Sequence, residues 1–101
     1  MSKPIADKAE ITLEYPDKLY IGTFGSSRFE AHIDAAGIAL ILERSGTEDV
    51  RKSIHMHINF GLFADIIKDL ALSVDRLPKD STYREQITEA VDQLHTALLK
   101  S

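Results

Sequence analysis

The chain has no cysteine. Disulfides and thiolate chemistry are therefore excluded, and with them the cysteine ligands of most structural zinc sites. No apolar run approaches the roughly 20 residues that a membrane-spanning helix needs, and residues 1–10 lack the apolar stretch of a signal peptide. The expectation is a soluble, cytoplasmic protein without membrane contact. One-sided basic charge is missing too. The net charge is −4, and the densest basic group, Arg44, Arg51 and Lys52, is interrupted by Glu48 and Asp49. Neutralised phosphates supply most of the affinity for a polyanion, so no nucleic-acid partner is expected.

Two catalytic or ligand-binding devices are also absent. Gly22-Thr23-Phe24-Gly25-Ser26-Ser27 has two glycines but no lysine, and a strand rather than a helix follows it, so it is not a phosphate cradle. Ser26 and Ser27 belong to that turn, and neither lies in a G-x-S-x-G elbow.

What the sequence does contain is a change of hydrophobic period. Ile54, Met56, Ile58 and Phe60 alternate with Ser53, His55, His57 and Asn59, the pattern of a half-buried strand. After Gly61, residues Phe63, Ile66, Ile67, Leu70, Ala71, Val74 and Leu77 form one stripe of an amphipathic helix that ends before Pro78. A second stripe runs from Tyr83 through Ile87, Val91 and Leu94 to Leu98, with Asp80, Ser81 and Thr82 offering N-caps.

Upstream, Ile11–Tyr15, Lys18–Phe24, Arg28–Asp34 and Ile38–Arg44 read as strands separated by short turns at Pro16-Asp17, Gly25-Ser26-Ser27, Ala35-Ala36-Gly37 and Ser45–Asp49. The inward face of Lys18–Phe24 is ambiguous, because Leu19, Ile21 and Thr23 compete with Tyr20, Gly22 and Phe24. Short connections favour antiparallel neighbours. The expected fold is α+β: a five-stranded antiparallel β-meander followed by an antiparallel helix hairpin packed on one sheet face. Residues 1–9 are expected to be a flexible N-terminal tail and 10–101 a single domain, with strands over about 10–60 and helices over about 61–77 and 82–100.

Two constellations carry functional expectations. His55 and His57 project from one strand face, and in a meander His32 lies on the same face two strands away. His32, His55 and His57, with Glu43 as a further carboxylate, are the candidate ligands of a divalent metal; no other cofactor is indicated. Glu30 and Asp34 flank His32 and would raise its pKa, but no nucleophile is placed beside them. The second constellation is apolar. If helices cover the face bearing Ile54, Met56 and Ile58, the opposite face still shows Tyr20, Phe24, Ala39 and Ile41, a patch suited to a protein contact. The expected function is accordingly a small non-catalytic protein-binding or self-assembly module, a homodimer or a partner-binding protein using the exposed sheet face. The alternative is a histidine-based metal-binding protein or enzyme.

Overall fold

The alternation in the sequence becomes a pairing register. A computed structural model describes residues 2–44, 52–79 and 82–101. These contain strands β1 (Lys3–Pro4), β2 (Lys8–Tyr15), β3 (Lys18–Gly25), β4 (Arg28–Ile33), β5 (Ile38–Arg44) and β6 (Lys52–Ile58), and helices α1 (Phe60–Ala71) and α2 (Thr82–Lys100). The fold is α+β, with antiparallel sheets and two helices. The turn expected over Ser45–Asp49 and the caps Asp80 and Ser81 lie outside the described residues. The chain falls into two compact units, residues 1–64 and 65–101.

In the first unit the strands form a four-stranded sheet in the order β1-β4-β5-β6 and a separate two-stranded ribbon, β2-β3. This corrects the expected five-stranded meander at one joint, between β3 and β4. Gly25-Ser26-Ser27 is a corner and not a hairpin turn. Ser26 has a φ of 46°, in the left-handed region, and diverts the chain out of the ribbon. Ser27 is buried, its hydroxyl donates to the Gly25 carbonyl at 2.7 Å, and its own carbonyl accepts the Ile5 N–H at 2.9 Å. The start of the outer edge of β4 is then joined by β1, which pairs Lys3 with Phe29 and Pro4 with Arg28. Arg28 also donates to the hydroxyl and the carbonyl of Ser2, at 3.0 and 2.6 Å. Part of the segment expected as a tail is therefore a short edge strand.

The β4-β5 and β5-β6 ladders place Phe29, Leu42 and Ile54 in one cross-strand row, Ala31, Leu40 and Met56 in the next, and Ile33, Ile38 and Ile58 in the third. This is the apolar face that alternation assigns. In the ribbon, Leu13 pairs with Tyr20, Ile11 with Gly22 and Ala9 with Phe24. The ambiguity of β3 resolves in favour of Tyr20, Gly22 and Phe24. Phe24 is fully buried, whereas Leu19 and Ile21 on the other face are more than half exposed. The Tyr20 ring lies over Gly22, where an added Cβ would sit 3.0 Å from its hydroxyl. At the ribbon's turn, Lys18 Nζ stands 5.7 Å from the Tyr15 ring centroid. Ile11 of the ribbon joins Ile5, Phe29, Leu40, Ile54 and Met56 around one apolar groove.

One residue separates β6 from α1. Asn59 is the N-cap: its side-chain oxygen accepts the Leu62 N–H at 2.8 Å, and its carbonyl accepts the Phe63 N–H at 3.1 Å. The first helix is shorter than the stripe reaching Leu77 suggests. Leu72 and Ser73 donate back three residues, to the Asp69 and Leu70 carbonyls, and a 3₁₀ turn over Val74–Arg76 carries the chain to Pro78. The Ser73 hydroxyl also reaches the Leu70 carbonyl at 3.4 Å, a local bond that competes with continued helix. Helix α2 has the expected extent. Neither helix holds a buried residue. Ile87, Val91, Leu94 and Leu98 are between 36 and 58% exposed.

Candidate interaction surface

The second face of the four-stranded sheet carries the imidazoles. The ladders align His32, Ala39 and His57 in one row and Glu30, Ile41 and His55 in the next. Ala39 therefore separates two histidines that stand about 10 Å apart at the backbone, from a spacing of roughly 4.8 Å per strand. Glu43 lies one row further on, between Arg28 and Ser53.

Each histidine is engaged differently. His57 Nε2 lies 3.0 and 3.2 Å from the two carboxylate oxygens of Asp34. His55 Nε2 is 2.8 Å from the Ser53 hydroxyl on its own strand. His32 Nδ1 is 3.9 Å from Glu30 Oε1, an ion pair when the imidazole is protonated. Among the described residues no group of three His, Asp or Glu side chains is gathered to hold a metal ion. Asp34, expected to flank His32 on β4, lies past the end of that strand and turns toward β6. Its Oδ1 accepts the N–H groups of Ala36 and Gly37, both at 2.8 Å. The Ala36 amide first, then the His57 ring and the Gly37 amide, hold its carboxyl below the ordinary aspartate value.

The four residues expected to form a contact patch do not share a surface. Ala39 and Ile41 are half-buried on the imidazole-bearing face. Tyr20 is 40% exposed and Phe24 fully buried, both on the ribbon. Phe24 is thus a core residue, because β3 turns its even-numbered side inward.

Sequence reasoning missed two features. On the apolar face, Phe29, Ile33, Leu40 and Met56 remain between 37 and 58% exposed. Alternation places them on one face. The other feature is the outer edge of β6, which no described strand pairs. Beside it lies an open groove, walled by Ser53, Ile54, His55 and Met56 on one side and by Leu13, Tyr15 and Tyr20 on the other. An edge position for the last strand of an antiparallel sheet was available from the order of elements alone.

Among the described residues no helix is long and apolar enough to cross a membrane. No protein-family model, curated protein or solved structure matches the chain.

Proposed function

We propose that this chain is a non-catalytic self-association module that uses its sheet as the contact surface. The observation that supports the reading is the open apolar face: Phe29, Ile33, Leu40 and Met56 lie together on it and are each 37% exposed or more. Exposed singly, such residues need no explanation, but a contiguous patch is characteristic of a contact surface. Fully burying one such side chain contributes about 1.5–3 kcal/mol, so closing four of them in a dimer is a substantial driving force. The imidazole-bearing face, with Ala39 and Ile41 between histidines and carboxylates, suits the polar margin of a contact. In this reading the expected helix hairpin closes its own open stripes on association.

Light scattering or sedimentation across the micromolar range tests the proposal. The expected mass is at least twice the 11.3 kDa of one chain. Leu40→Asp, on the apolar face, is expected to shift the protein toward monomer, and Ile41→Asp tests the opposite face. A single-chain mass at high micromolar concentration, for the wild type and both variants alike, overturns the reading.

A further inference from the structure

We infer that the contact includes β6 pairing antiparallel with β6 of a second copy, edge to edge, centred on His55. The inference rests on the self-association reading and adds a second contact to it, since a copy paired along β6 extends the apolar face and does not itself close it. The two edges of the four-stranded sheet are unlike. On one side β1 pairs only with Arg28 and Phe29 of β4 and consists of Lys3 and Pro4, a charged side chain and a residue that cannot donate. Both are devices that block strand addition. The rest of that edge, residues 30–33, is shorter than β6 and includes the Glu30 carboxylate. The β6 edge runs for seven residues, Lys52–Ile58. It has no proline, and its residues oppose those of β5 one for one without a bulge. Its single Lys, Arg, Asp or Glu is Lys52, at one end. A strand of this kind presents a row of backbone donors and acceptors to any extended segment that fits beside it.

Charge and pattern favour a second copy in the antiparallel sense. Full overlap of Lys52–Ile58 with itself places His55 opposite His55 of the second copy. Ile54 then meets Met56 and Ser53 meets His57, so the apolar face continues across the junction and so does the imidazole face. The two copies of Lys52 end about 20 Å apart, at roughly 3.3 Å per residue, well beyond a screening length of about 8 Å. A parallel arrangement would set them side by side. The result is a two-fold interface in which one strand supplies both halves.

The chain's lack of cysteine makes the geometry directly testable. In this register the Cα atoms of the two His55 residues are about 4.5–5.5 Å apart, inside the disulfide range of roughly 4.4–6.8 Å. Diamide oxidation of His55→Cys, which removes two protons and two electrons from a thiol pair, is expected to give a covalent dimer. Ser53→Cys and His57→Cys are each expected to fail alone, because each lies about 13 Å along the strand from its own copy, but to cross-link when mixed. His55→Lys is expected to weaken association roughly threefold or more, by setting like charges opposite. In the wild type, hydrogen exchange at the β6 amides should slow with protein concentration, a readout that requires no variant to fold. A dimer whose β6 amides stay unprotected and whose His55→Cys variant does not cross-link overturns the edge pairing while leaving self-association intact. A monomer overturns both.

Discussion

His57 Nε2 lies 3.0 Å from Asp34 Oδ2, so the last strand is fastened to the turn that links β4 and β5. The same carboxylate accepts two backbone N–H groups of that turn. One side chain thus closes the turn and anchors it to β6.

Acid is expected to loosen this fastening. The folded state holds the Asp34 carboxyl below its ordinary value, chiefly through the Ala36 amide and then the His57 ring. A carboxyl whose pKa falls on folding stabilises the fold above its unfolded value, about 3.9, and loses that contribution as pH drops further. Asp34→Asn keeps an oxygen for the amides but does not titrate. Its melting temperature should therefore fall less than that of the wild type between mildly acidic pH and pH values below 4. Equal acid sensitivity in the two proteins would count against the assignment.

Two glycines of this chain should respond oppositely to alanine. A Cβ on Gly37 would run into the Ile58 carbonyl oxygen and come within 3.0 Å of the His57 ring, and backbone cannot step aside as a side chain does. Gly37→Ala is expected to cost about 2 kcal/mol or more in urea unfolding, in the range of overpacked sites. Gly61, in the first turn of α1, has Asn59 Oδ1 at 3.4 Å as the nearest atom to a new Cβ, an ordinary contact. Gly61→Ala should be neutral or stabilising by up to about 1 kcal/mol, since it removes backbone freedom from the unfolded chain. Loss of stability at Gly61 as large as at Gly37 would contradict the packing described.

Much of the local structure was legible because period two and period three-to-four are strong signals. The rows through Leu40 and through Ala39 both follow from counting alternate residues, and α2 emerged at its expected length. The sheet's connectivity was not legible. Whether Gly25-Ser26-Ser27 folds back or turns a corner depends on the left-handed Ser26 and on Ile5 reaching its carbonyl partner, a contact more than 20 residues away in sequence. The end of α1 was hidden for a related reason. The apolar stripe continues through Val74 and Leu77, and only the local bonds of Ser73 show that the backbone has left the α-helix. The histidines were correctly placed on one face, yet sharing a face does not make side chains converge, and each found a nearer partner.

That divergence predicts the outcome of metal titration. Binding through His32, His55 and His57 would require breaking the contacts to Glu30, Ser53 and Asp34 and bringing together rings held on strands β4 and β6. Zinc chelation needs nitrogens at about 2.1 Å from one centre. Added zinc should therefore leave the three imidazole resonances in NMR spectra unchanged at stoichiometric concentration. Joint, saturable shifts of all three would restore the metal-binding reading.

The ribbon's two faces differ in a way that stability measurements can read. Phe24 has no exposure, and it is the one large side chain fully enclosed among the described residues. Leu19, on the opposite side of the same strand, is 58% exposed. Truncating a buried phenylalanine removes its transfer free energy and leaves a cavity, together about 3–5 kcal/mol. That is a large part of the roughly 5–15 kcal/mol by which a domain is stable, so Phe24→Ala should unfold the first unit or leave it barely folded. Leu19→Ala should stay within about 0.5 kcal/mol of the wild type in urea unfolding at low protein concentration. Dilution matters because a second copy covering Leu19 would add its own contribution. If Leu19→Ala proves as damaging as Phe24→Ala under those conditions, β3 faces the other way.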